Sequence, residues 1–378
     1  MQNFKWFDVV LIDPRGIIGN GDSDTQTRQE KYQRCYENLS GRNYIVITAS
    51  RNDAESRGQN DNFLYLGRSS RFSIPYLFRS VQFLKKKYRN EEILLTCSDP
   101  WESFLSAWII SKFTKARIQI QIHADIGDSA WRNLSLINST RARAAKFTII
   151  RANKIRLVDK GQLKRLDQYL NFKLSKSKVD IVPVPLNLPN NFELPIKKFS
   201  LNKSKRIGFV GRMHRDRGVQ LFLRHIVELN SSFQDFEIVL IGDGDEKSQL
   251  ISILTEKLGA GRVTDLGFLQ GDNYFAALSS LDVVMSLAST ESYGRVVRES
   301  LAFGVPILAK KNPAIDKLMA ENHGIGIQII DDNETGVSIS NKVRLNYLES
   351  DLINIGAKIR RLEKESFENV VRAWKIHG

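Results

Sequence analysis

Short apolar runs alternate with longer amphipathic stretches along the first half of this chain. The runs predict strands near Phe7–Asp13, Tyr44–Ala49, Glu92–Cys97, Ile118–His123, Lys154–Val158 and Asp180–Val184. Between them, apolar positions at helical spacing predict helices over Thr25–Glu37, Pro75–Tyr88, Glu102–Phe113, Ile137–Ala152 and Gly161–Tyr169. Strands separated by helices imply parallel sheets covered on both faces, with ligands at the carboxyl ends of the strands. From Pro183 to Lys205, four prolines followed by a polar, basic run read as a linker. Beyond it, alternation over Asp282–Leu287 predicts a strand ending near Ser289, and Ser292–Phe303 reads as the helix that follows. The pattern divides the chain into a β/α domain over 1–190, a linker over 191–204, a second domain over 205–350 and a C-terminal helical segment over 351–378.

Length supports two cores, since 378 residues exceed what one core commonly serves. With 42% apolar residues and no low-complexity tract the chain is globular. No apolar run approaches the ~20 residues that span a bilayer, and the sequence enters its first strand too soon for a signal peptide. Cys35 and Cys97 offer no disulfide framework, suit a reducing cytoplasm and read as buried strand or helix residues. The net charge of +14 is concentrated in one half. Residues 1–190 hold 31 Lys+Arg against 18 Asp+Glu, whereas residues 191–378 hold 25 against 24. Basic clusters lie at Lys85–Lys87 with Arg89, at Arg141, Arg143, Lys146 and Arg151, and from Lys154 to Arg165. The bland reading is a solvated surface. The sharper one is attraction to an anionic partner, such as the inner face of a membrane, a phosphorylated lipid or an acidic glycan. No motif of interleaved basic and aromatic residues points to nucleic acid, and none is expected.

The richest stretch is Ser289–Ala309, STESYGRVVRESLAFGVPILA, with Glu291 and Glu299 eight positions apart around Gly294. On a strand-to-helix turn and the helix after it, that spacing is roughly 12 Å along the axis. Paired carboxylates of glycosidases stand about 5 Å apart when retaining and about 6.5–9.5 Å when inverting. These two glutamates are better placed to hold two parts of a long ligand than to flank one bond.

The whole string resembles the E-x7-E signature of retaining glycosyltransferases of the GT-B fold, the large family 4. Ile207–Gly218 (IGFVGRMHRDRG), Val239–Glu246 (VLIGDGDE), Asp265–Leu269 (DLGFL) and Leu281–Ser286 (LDVVMS) are similar to that family's donor-domain strands, in its order. The resemblance implies two Rossmann-like β/α/β domains facing each other across a cleft. The first, strongly basic, would bind the acceptor and the second a nucleotide-diphosphate sugar, and the C-terminal segment would cross back to the first domain.

It also implies roles. Glu299 would accept from the ribose hydroxyls and Glu291 would face the transferred sugar. Backbone amides of Ser292, Tyr293, Gly294 and Arg295 would cap phosphate or sugar hydroxyls, with Gly294 permitting close approach. Tyr293 fits the family pattern and Arg295 departs from it. The bland role for Glu299 is pairing with Arg295 or Arg298 along the helix. Donor cleavage leaves a nucleoside diphosphate with added negative charge that a metal or fixed cations must stabilise. Arg212, after the strand end at Gly211, and Arg217, where the family usually has lysine, are the candidates; their bland role is surface ion pairing. Loop backbone near Phe268 and Leu269 would read the base.

His123, at a strand end, would lie under the sugar, although a lone histidine is as often structural. Asp99 follows another strand end, and the Pro14–Asp24 loop carries Gly19 and Gly21 on the acceptor side without a Walker pattern. Two D-x-D triplets, Asp22-Ser23-Asp24 and Asp243-Gly244-Asp245, suggest metal use, but both sit ahead of helices where aspartate also caps. No required metal or cofactor is expected. The resulting expectation is a cytoplasmic retaining enzyme, peripheral on the inner membrane face. It would move a hexose from a nucleotide sugar to a hydroxyl of a glycan or lipid-linked acceptor in cell-envelope polysaccharide synthesis, with the departing phosphate helping to deprotonate the acceptor. The alternatives are a non-catalytic GT-B-like protein that holds nucleotide, glycan or nucleic acid, and a sugar-nucleotide epimerase.

Overall fold

A computed structural model of the chain describes residues 4–18, 24–50, 63–68, 73–189, 204–345 and 347–377. The linker expected over 191–204 lies, apart from Ser204, outside the described residues. The chain forms two units, one of Met1–Pro185 with Glu365–Gly378 and one of Leu186–Lys364.

In unit 1 the elements run β1 (Phe4–Lys5), β2 (Asp8–Asp13), α1 (Asp24–Ser40), β3 (Tyr44–Ser50), β4 (Phe63–Arg68), α2 (Ile74–Tyr88), β5 (Ile93–Cys97), α3 (Glu102–Ser111), β6 (Ala116–Ile122), α4 (Ser129–Asn133), α5 (Leu136–Arg151), β7 (Lys154–Leu157), α6 (Lys160–Leu170) and β8 (Val179–Ile181). Seven parallel strands form one sheet in the order β4-β3-β2-β5-β6-β7-β8. Strand residues are buried on both faces: Val10 and Ile12 enter one core with Ile45, Leu95 and Ile120, while Val9 and Leu11 enter another with Tyr36 and Tyr44. Continuous apolar strands are what a sheet covered on both sides requires. Strand β4 was not expected; its FLYLGR run lies between polar stretches and gains its place by pairing with β3. Cys97 is buried on β5 and Cys35 is half-buried on α1.

Unit 2 runs β9 (Lys205–Val210), α7 (Val219–Ser232), β10 (Phe236–Ile241), α8 (Lys247–Leu258), β11 (Val263–Asp265), α9 (Gly271–Ser279), β12 (Val283–Ser286), α10 (Arg295–Ala302), β13 (Ile307–Ala309), α11 (Pro313–Glu321), β14 (Ile327–Ile329), α12 (Gly336–Arg344) and α13 (Glu349–Lys364). Its parallel sheet has the order β11-β10-β9-β12-β13-β14. The order reverses between β9 and β12, which opens a crevice at their carboxyl ends. In unit 1 the same reversal falls between β2 and β5.

The C-terminal segment is not one helix. α13 packs on α10 in unit 2, and the next helix, α14 (Ser366–Arg372), packs on α1 in unit 1. Trp374 is fully buried there, stacked on Tyr44 at 5.0 Å and edge-on to Tyr36 at 5.3 Å. Gln119 Nε2 donates to the Ala373 carbonyl (2.7 Å) and Lys154 Nζ to that of Lys375 (2.6 Å). Strand β15 (Ile376–His377) then pairs antiparallel with β1. No helix among the described residues is long and apolar enough to cross a membrane.

Candidate functional site

In unit 2 the site grows out of the β9/β12 crevice. β9 delivers Gly211 and Arg212 to its carboxyl end, followed by a short 3-10 turn over Arg215–Arg217. The turn is fixed by backbone: the Met213 amide donates to the Asp243 carbonyl (2.8 Å) and the Arg217 amide to that of His214 (2.8 Å). β12 delivers Glu291 on the facing loop, where Arg217 Nη1 donates to Glu291 Oε2 at 2.6 Å. Asp216 lies between the cations, its Oδ2 3.7 Å from both Arg212 Nη2 and Arg217 Nε and its Oδ1 2.9 Å from His214 Nδ1. Arg212 remains 68% exposed as a side chain, so its guanidinium faces solvent.

The loop ahead of α10 differs from expectation. The helix begins at Arg295, because Gly294 adopts φ 70° in the left-handed region and caps the helix rather than continuing it. Ser292, Tyr293 and Gly294 therefore belong to the loop, and the first-turn amides start at Arg295. Buried Arg298 braces that loop: its Nε donates to the Tyr293 carbonyl (3.2 Å), its guanidinium lies 4.4 Å from the Tyr293 ring, and it pairs with Glu321 at 3.2 Å.

Glu299, one turn deeper, is held from two sides. Tyr274 Oη donates to its Oε2 (2.7 Å) and Arg295 Nη2 to its Oε1 (2.9 Å), with only 3% of the glutamate side chain exposed. The pairing that counted as the bland role of Glu299 is thus present at Arg295; Arg298 instead braces the loop. Nothing in the spacing singled out Tyr274, which sits on α9 and meets Glu299 only once α9 and α10 are packed. Leu269 is half-buried against the same core as Tyr293, while Phe268 is 67% exposed. Of the second D-x-D triplet, Asp243 Oδ1 accepts from the Gly244 amide (2.9 Å) and Asp245 stands 3.5 Å from His214. Among the described residues no group of three or more His, Cys, Asp or Glu is arranged to hold a metal ion.

In unit 1, His123 follows β6 directly and is exposed. Asp99 follows β5 and is buried, with its carboxylate accepting from the amides of Trp101 (2.9 Å) and Ser103 (3.1 Å) and from the Ser103 hydroxyl (2.6 Å). That is a turn-and-cap role, with Arg15 3.5 Å away from the neighbouring strand end. Asp13, ending β2, is buried, which raises its carboxyl above the usual value against bonds from the Ile18 amide and the Thr48 hydroxyl. Gly19 and Gly21, with Asp22 and Ser23 of the first D-x-D triplet, lie outside the described residues.

Residues 191–344 match the family model described as "Glycosyl transferases group 1". Among curated relatives, 2-deoxystreptamine glucosyltransferase of Streptomyces kanamyceticus is 27% identical over 139 residues, covering 35% of this chain and 36% of that protein. GDP-mannose-dependent alpha-mannosyltransferase of Corynebacterium glutamicum is 26% identical over 132 residues, covering 35% and 29%. The chain thus aligns with about a third of the length of these relatives. Solved structures match over nearly the whole chain. Sucrose-phosphate synthase from Thermosynechococcus elongatus has a TM-score of 0.71 at 15% identity, covering 97% of each chain. An Anabaena protein solved with UDP-glucose has a TM-score of 0.67 at 15% identity, covering 97% of this chain and 96% of that one. Residues 191–344 are thus similar to the glycosyl transferases group 1 family, and the chain has the two-domain α/β architecture of the GT-B fold.

Proposed function

We propose that this chain is a retaining glycosyltransferase that moves a hexose from a nucleotide-diphosphate sugar to a hydroxyl of a glycan or lipid-linked acceptor in envelope polysaccharide synthesis. The observation that carries the reading is the arrangement at one strand-order reversal of two arginines, the Arg217–Glu291 pair at 2.6 Å and a buried, doubly held Glu299. Relatives named for glucosyl and mannosyl transfer support a hexose donor. In this reading Glu299 accepts from the ribose hydroxyls, and the amides from Ser292 to Arg295 meet phosphate or sugar oxygens. Backbone near Gly211 and Leu269 lines the nucleotide. Arg212 and Arg217 hold the diphosphate, with Arg217 exchanging part of its contact with Glu291 for phosphate oxygens. The bond from the anomeric carbon to the β-phosphate oxygen breaks while the acceptor oxygen bonds the same face of that carbon. The acceptor proton passes to the departing phosphate, so no protein nucleophile is used. His123 serves the transferred sugar through its carbonyl or imidazole, and unit 1 takes the acceptor.

Charge stabilisation by two arginines leaves no step that requires a metal, so activity is expected to survive EDTA. The basic charge of residues 1–190 supports work at an anionic membrane surface on the cytoplasmic side. The test is thermal stability against UDP-, GDP-, ADP-, CMP- and TDP-sugars for wild type and Glu299→Ala. A shift of several degrees with one nucleotide class, absent in the variant, is expected. Equal shifts in both proteins would remove Glu299 from the site.

A further inference from the structure

The carboxylate of Glu299 carries two partners of its own, and these bear on the donors that the site accepts. Only 3% of the Glu299 side chain is exposed, while the Arg295 side chain that holds its Oε1 at 2.9 Å is 37% exposed. Its Oε2 takes the Tyr274 hydroxyl at 2.7 Å, and Tyr274 packs half-buried against the same apolar core as Leu269 and Tyr293. A carboxylate offers about four lone-pair sites, so two remain for ribose hydroxyls. Helix stability does not account for the Arg295 pair. Arg295 is the first residue of α10, where the positive end of the helix dipole disfavours a cation. A basic residue four positions ahead of an acidic one is also the weaker order for a helical pair. The first turn carries no acidic residue to offset either cost. The arrangement works against the helix and in favour of the carboxylate.

A buried acceptor whose only partners are two ribose hydroxyls rejects a donor that lacks one of them. Sites of that kind discriminate by about ten-thousand-fold or more, because the missing hydroxyl leaves a buried polar group unpaired. Here the charge of Glu299 stays offset by Arg295, and Tyr274 keeps its bond, whichever pentose occupies the site. Removing one hydroxyl then costs a single weakened hydrogen bond and leaves no bare carboxylate. We propose that Arg295 relaxes ribose specificity, so that the site takes nucleoside diphosphate sugars built on 2′-deoxyribose as well as on ribose. In this role Arg295 is a positioning residue, because its side chain acts through Glu299 and touches no reacting atom. The inference deepens the proposed function and rests on its assignment of Glu299 to the ribose hydroxyls.

The experiment is calorimetric titration of the full chain with nucleoside diphosphates in pairs that share a base: UDP with dUDP, GDP with dGDP, ADP with dADP and CDP with dCDP. Wild type is expected to bind the deoxy member of its preferred pair within about ten-fold of the ribo member. Arg295→Leu is expected to widen that ratio to about a hundred-fold or more, because Glu299 then keeps Tyr274 without a cation. Arg295→Lys restores a cation and is expected to return the ratio to within about ten-fold. The ratio cancels any loss of folding or of diphosphate binding common to both members, so a merely structural role for Arg295 would leave it unchanged. A larger wild-type ratio, or an Arg295→Leu ratio no wider than that of wild type, overturns the proposal while binding of the ribo member keeps the donor reading intact. Binding of neither member of any pair removes the donor reading and the proposal together.

Discussion

At the scale of single residues, Glu299 is not free. Its two oxygens are already engaged by Tyr274 and Arg295, which fixes the rotamer of a buried carboxylate and offsets its charge before any ligand arrives. Tyr274→Phe is therefore expected to weaken donor binding about ten-fold, the size of one hydrogen bond to a charged group, with kcat little changed. A fall in kcat at constant KM would instead move Tyr274 into the reaction itself. Elsewhere, burial pushes the Glu334 carboxyl up, but the Lys342 ammonium, the Ser338 hydroxyl and the Asp331 amide outweigh it and hold it at about 2, below its usual 4.5. A depressed carboxylate adds stability that is complete above the unfolded value and lost as pH falls towards the folded one. Wild type should thus lose melting temperature between about pH 4.5 and about pH 2 more steeply than Glu334→Gln; parallel curves would contradict this.

At the scale of elements, both sheets place chemistry-bearing side chains where strand order reverses. Arg15 and Asp99 meet after β2 and β5, and Arg217 and Glu291 meet after β9 and β12. The strand pattern in the sequence located these ends well, since residues buried on both faces make continuous apolar runs. It misjudged the start of α10, because a left-handed glycine looks like any other glycine until the loop around it is built. The loops after β9 and β10 touch so closely that a Cβ on Gly242, at φ 141°, would lie 1.9 Å from the Gly211 carbonyl oxygen. Gly242→Ala is expected to cost about 3 kcal/mol or more through strain and clash and to blunt the nucleotide-sugar thermal shift. Denaturant unfolding within about 1 kcal/mol of wild type would show that the two loops can separate.

At the scale of the whole chain, the C-terminal fourteen residues, Glu365–Gly378, belong to unit 1 although the preceding helix belongs to unit 2. Trp374 fills the core between Tyr36 and Tyr44, and Trp374→Ala is expected to destabilise unit 1 by about 3–5 kcal/mol. Separate unfolding transitions for the two units would show which one moves, and loss confined to unit 2 would refute the assignment.

What the sequence determined by itself follows from local rules. Strand and helix periodicity, the linker composition, the charge asymmetry and the order of motifs around Glu291 and Glu299 are all properties of neighbours along the chain, and they sufficed for the fold class and to name Glu291, Glu299, Arg212 and Arg217 as candidates. Tertiary structure decided what depends on partners far apart in sequence. It brought Tyr274 to Glu299, spent the Asp99 carboxylate on its own turn and joined β4 to β3. It also seated Trp374 among tyrosines more than 300 positions away. Periodicity records which residues share a face; only packing settles which faces are covered and which side chains meet.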